Sequence, residues 1–133
     1  MLAMHQFVCH QDTTIADGNA ASIAQLIFNN IPGANLRVHG NATVRLSGPG
    51  RVRMTLTSNL LPGVLATASF ENTNGSNPGP AFGNLSLLTD LPALPAGAYA
   101  FFLALEAIGA DVDFLAATFP DDYGGALTAD EHG

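Results

Sequence analysis

The patterning of this sequence is that of an all-β protein, a β-sandwich or jelly roll of seven to eight antiparallel strands. Apolar and polar residues alternate with a period of two between Asn35 and Phe119, as half-buried strands require. Turn-forming Gly, Pro, Asn and Ser interrupt that alternation about every ten residues, the spacing of sandwiches and barrels. No internal repeat of fixed period is present.

Residues 1–18 lack sustained periodicity and are expected to form an extended N-terminal arm or edge segment. From Asn19 to Asn30, the apolar set Ala20, Ile23, Ala24 and Ile27 fits helical spacing behind Asp17 or Asn19 as a cap. This predicts one short helix, with a strand through Gln25-Leu26-Ile27-Phe28 as the alternative. Ile31-Pro32-Gly33 ends the segment. Strands are then predicted at Leu36–His39 and Ala42–Leu46, with Gly40 as a bulge or bend between them. The Ser47-Gly48-Pro49-Gly50 turn leads into Arg51–Thr57 and reads as a hairpin. In that strand Val52, Met54 and Leu56 face one way and Arg51, Arg53, Thr55 and Thr57 the other.

Leu61-Pro62-Gly63 turns the chain into a strand over Val64–Phe70, and Glu71–Pro80, rich in Asn, Gly, Ser and Pro, is expected as a surface loop. Leu85–Leu88 is a further short strand. The most apolar segment, Ala98–Ile108, puts Tyr99, Phe101, Leu103 and Leu105 on one face and Ala98, Ala100, Phe102 and Ala104 on the other. Both faces need cover, from the core on one side and from either a neighbouring subunit or the chain itself on the other. A last strand is predicted over Asp111–Phe119, closed by Pro120-Asp121-Asp122. The domain is therefore bounded at 19–123, with 124–133 as a flexible acidic tail.

At 133 residues the chain can form an ordinary core without disulfides or metal. Charged residues make up only 11%, less than half the roughly 25% of typical soluble domains. Much of the surface is therefore neutral and suited to being covered. The formal net charge is −7, with four Arg and no Lys, which argues against a nucleic-acid partner. No stretch approaches the roughly 20 apolar residues of a membrane-spanning helix, and the N-terminal residues lack a basic leader, so neither membrane insertion nor a standard secretion signal is expected. Asn41, Asn74 and Asn84 begin glycosylation-type triplets, which the abundance of Asn, Ser and Thr explains.

The inventory of chemistry-bearing residues is thin. Without lysine there is no Schiff-base chemistry and no Walker-type phosphate loop, and neither Gly-x-Ser-x-Gly nor His-Glu-x-x-His occurs. Cys9 and His10 are adjacent and would point to opposite sides of an extended chain, so they do not form a nucleophile and base. His5, Cys9 and His10 lack the spacing of a structural metal site. Asp111, Asp113, Asp121 and Asp122 could gather oxygen ligands for calcium but read better as solvated acids, and His39 as a surface residue. No catalytic residue, cofactor or metal is expected. The proposed interface consists of Arg45, Arg51 and Arg53, placed by the hairpin reading in one basic patch, together with Phe102 between subunits.

The run Leu94-Pro95-Ala96-Gly97-Ala98-Tyr99-Ala100-Phe101-Phe102-Leu103 resembles the late strand of small viral jelly rolls. Its Ala-Gly-x-Tyr form followed by alternating apolar residues is similar to trimeric decoration, or cement, proteins of tailed-phage capsids, over residues 34–119 in strand order. The resemblance implies a homotrimer on the capsid exterior, bound to the major capsid protein where capsomers meet, with the N-terminal arm reaching a neighbour. Such a protein would be made in the host cytoplasm, and no catalytic residues carry over. The absence of lysine departs from the pattern and leaves open how an acidic chain would grip its shell. A glycan-binding or host-attachment β module is the competing reading, weakened by the absence of tryptophan and by a Tyr99 that faces inward.

Overall fold

A computed structural model describes residues 3–8, 12–72, 81–115 and 126–132. Cys9, His10, Asn74, Asp121, Asp122, the end of the strand expected over 111–119 and most of the expected 71–80 loop lie outside the described residues. Ten strands form: β1 (Ala3–Val8), β2 (Thr13–Ile15), β3 (Ala20–Asn29), β4 (Asn35–Leu46), β5 (Gly50–Ser58), β6 (Ala66–Asn72), β7 (Ala81–Leu91), β8 (Ala98–Ile108), β9 (Val112–Leu115) and β10 (Ala126–His132).

All pairings are antiparallel, and the strands make two sheets. The first is built around β4. One edge of β4 pairs with β7, and along its other edge β10 and β9 lie end to end, flanked by β1 and β2 respectively. The second sheet runs β3-β8-β5-β6. The chain passes repeatedly from one sheet to the other, which is the jelly-roll arrangement.

Alternation supplies the core. Val52, Met54 and Leu56 from β5 meet Tyr99, Phe101, Leu103 and Leu105 from β8 and Leu36, Val38, Val44 and Leu46 from β4, all buried. Pro32-Gly33 and Pro62-Gly63 are turns as expected, each glycine at positive φ (79° and 74°), where other residues are strained. The Ala96-Gly97-x-Tyr99 run is a corner of the fold. The Tyr99 hydroxyl donates to the Pro95 carbonyl at 2.9 Å, and buried Asn30 accepts from Gly97 N–H at 3.0 Å.

Four expectations need correction. Residues 20–29 form a strand and not a helix. A bulge between Ser22 and Ala24 shifts the alternation by one residue, which counterfeits helical spacing; beyond it Ala24, Leu26 and Phe28 point inward while Ile27 is 62% exposed. The Leu36–His39 and Ala42–Leu46 segments are one strand running straight through Gly40. That glycine serves packing, since a Cβ there would lie 2.9 Å from Leu103 Cδ1. The Ser47–Gly50 link is no hairpin, because β4 and β5 belong to different sheets. The segment expected as a flexible acidic tail holds β10, a strand between β1 and β4 with Leu127, Ala129 and Glu131 fully buried. The N-terminal segment is extended, and its strands β1 and β2 pair with β10 and β9 of the same chain.

Candidate functional site

The outer face of the second sheet is where the sequence placed its interface, and strand register sets its layout. Phe102 stands between Gln25 of β3 and Thr57 of β5; Ala104 between Ser22 and Thr55; Ala100 beside Ile27. Phe102 points outward and is half-buried, with exposed Ile27 on the diagonal next to it. This end of the face is uncharged. Towards the other end Glu106 sits opposite Arg53, at 3.4 Å, and Arg51 opposite Glu71, at 3.1 Å. The face thus grades from ion-paired to neutral along β5.

The expected basic patch does not form. Arg51 and Arg53 project from the second sheet, whereas Arg45 projects from the outer face of the first, because the chain crosses the sandwich between β4 and β5. Every arginine is also paired with an acid: Arg37 with Asp90, Arg45 with Asp113, Arg51 with Glu71 and Arg53 with Glu106. Exposed pairs of this kind contribute only about 0–1 kcal/mol each. Their main effect is to cancel the positive charge locally, so the described residues present no free basic area.

Asp113 of β9 and Asp111 just before that strand are engaged within the fold. Asp113 accepts from Thr14 Oγ1 at 2.9 Å and from Arg45, and Asp111 accepts from Asp17 N–H at 2.9 Å. Partial burial pushes the Asp113 carboxyl up, but hydrogen bonds from Arg45 and Thr14, with the Arg45 charge, outweigh it and hold the group below its ordinary value. Among the described residues no three His, Cys, Asp or Glu side chains are grouped to hold a metal ion. His39 lies on the outer face of the first sheet, with Nε2 3.1 Å from Ser86 Oγ.

Sequence reasoning missed Ile27 because it was assigned to a helix. It also missed exposed Phe82 and Leu88 of β7, which stand opposite Arg45 and His39 on the outer face of the first sheet. Their signal was present, since an apolar residue in the polar phase of an alternating strand marks an outward apolar side chain.

No protein-family model and no curated protein matches the sequence. Among solved structures, Eiger TNF from S. frugiperda is similar to this chain with a TM-score of 0.64 and 10% identity, over 98% of this chain and 92% of the other. That likeness shows the fold alone, a jelly-roll β-sandwich. Dimeric latent PorU from Porphyromonas gingivalis overlaps 99% of this chain and 13% of its own, with 11% identity and a TM-score of 0.47.

Proposed function

We propose that the chain is a non-enzymatic structural protein that assembles as a homotrimer and acts as a decoration or cement protein on the exterior of a phage capsid, bound to the major capsid protein. The observation that carries this reading is the neutral end of the β3-β8-β5 face. Copies carrying a net charge of −7 repel one another. They approach most easily through a surface where charge is absent and small residues allow close contact. Ile27, Phe102 and Ala104, flanked by Ser22, Gln25, Thr55 and Thr57, form such a surface, and the Arg53–Glu106 and Arg51–Glu71 pairs serve as its polar rim.

The test is solution mass by light scattering during size-exclusion chromatography over a concentration series. The expected mass is about three times the 13.7 kDa chain, as closed symmetric assembly requires. Phe102→Asp is expected to give a soluble, folded monomer. A wild-type monomer at all concentrations would overturn the assembly reading. Capsids stripped of the protein and then re-supplied with it are expected to recover their resistance to heat.

A further inference from the structure

The first sheet carries a second feature on its own outer face. Arg37 of β4 stands between Asp130 of β10 and Asp90 of β7, and its Nε donates to Asp90 Oδ1 at 2.8 Å. Its guanidinium is held protonated even above the ordinary arginine range, first by the hydrogen bond to Asp90 and then by the charges of Asp90 and Asp130. Beside it opens a depression of about 380 Å³ lined by Asn35, Arg37, Asp90, Leu91, Pro92 and His132. Among the described residues, two buried side-chain polar atoms find no hydrogen-bond partner, Asp130 Oδ1 and His132 Nε2. Both belong to the strand that borders this depression, two residues apart on its outward face. A comparable depression at Arg51 and Glu71 has no such atom among the described residues beside it.

Buried polar atoms without partners are uncommon in native proteins, and each calls for a partner such as an ordered water, an ion or a ligand. The charges here select its chemistry. Two carboxylates against one guanidinium disfavour an anion, and the guanidinium disfavours a metal cation. What remains is a neutral ligand that both donates and accepts. A hydroxyl can do both, accepting from the terminal nitrogens of Arg37 and donating to Asp90 or Asp130. Leu91 and Pro92 provide an apolar border for the C–H face of a ring, and the volume lies within the range of small-molecule sites.

We infer that this depression is a binding site for a saccharide ring, held through vicinal hydroxyls by Arg37, Asp90 and His132 of its lining, with Asp130 beside Arg37 just outside that lining. Asp130 and His132 rotate outward to meet the ligand, exchanging an unpartnered buried state for a bonded one. The site lies on the sheet opposite the proposed assembly face, so its occupancy does not depend on oligomeric state.

The test is a two-dimensional amide NMR titration of the full chain with methyl glycosides of glucose, galactose, mannose and N-acetylglucosamine, each brought to millimolar concentration, with inorganic phosphate as a separate probe. At least one glycoside is expected to give saturable shifts confined to residues 35–37, 90–92 and 130–132. Arg37→Ala and His132→Ala, both at the surface, are each expected to weaken that binding about tenfold, the worth of one good hydrogen bond. Absence of saturable shifts with every glycoside, equal binding by both variants, or saturation by phosphate in place of the glycosides would overturn the proposal.

Discussion

Glu131 is a carboxylate at 1% exposure in a strand that looks like a tail, and replacing it tests how β10 is held. Its Oε2 lies 2.8 Å from His5 Nε2 on β1, and its Oε1 accepts the backbone N–H of Ile31, just beyond β3. The His5 ring stacks on Phe28 at 4.1 Å between centroids. One side chain therefore joins β1, β10 and the end of β3, linking the two sheets. Glu131→Leu leaves the Ile31 N–H without an acceptor, at about 1–3 kcal/mol, and removes the bond to His5, at about 1 kcal/mol. The added apolar burial offsets part of this. The net loss is about 2–3 kcal/mol, roughly 8–12 °C in melting temperature for a chain of this size. Glu131→Gln can keep both bonds and is expected to lose under about 1 kcal/mol. The assay is urea unfolding, read as a lower midpoint at unchanged slope. A Glu131→Leu protein within about 0.5 kcal/mol of the parent, or a Glu131→Gln protein equally damaged, would refute the reasoning. Because His5 and Glu131 act in one network, His5→Phe combined with Glu131→Leu should cost less than the sum of the two.

Other expectations follow from the same geometry. Gly40→Ala places a Cβ 2.9 Å from Leu103 Cδ1 and 3.3 Å from Leu87 Cδ1 in the closed core, and thermal melts should show a loss of about 1–3 kcal/mol. At Gly83 the obstacle is the Phe70 ring, 2.7 Å from where an alanine Cβ would lie, so Gly83→Ala should either destabilise to a similar degree or drive Phe70 outward, visible as altered ring resonances. The folded-state pKa of Asp113 lies below its ordinary value of 3.8, so its contribution is present above that value and is lost as pH falls through the lower folded one; Asp113→Asn should flatten the stability curve in that acid window. Phe102→Asp should leave circular dichroism unchanged while abolishing association; unfolded aggregate would place Phe102 in the subunit core.

Much of the architecture was legible because period-two alternation follows directly from strand geometry. Val52, Met54 and Leu56, and likewise Tyr99, Phe101, Leu103 and Leu105, could be assigned to the core from spacing alone, and all are buried. Proline-glycine pairs located two turns for the equally local reason that few residues tolerate positive φ. The failures share a different cause. A bulge in β3 adds one residue to the period, and nothing local separates that from a helical repeat. In β10 the inward positions are Leu127, Ala129 and Glu131, and only a partner histidine and a backbone N–H from distant segments make the third of them tolerable inside.

The candidate surfaces divide in the same way. The sequence by itself determined that β8 has a second apolar face with Phe102 on it, that positive charge is scarce, and that the residue set is poor in catalytic chemistry. Only the tertiary structure decided that the Ser47–Gly50 link crosses between sheets, sending Arg45 to one face and Arg51 and Arg53 to the other. It alone matched each arginine with its acid, gathered Arg37, Asp90 and His132 around one depression and set Asp130 beside Arg37. The physical reason is that facing along a strand is set by neighbours one and two residues away, whereas register and sheet membership are set by the burial of the whole core.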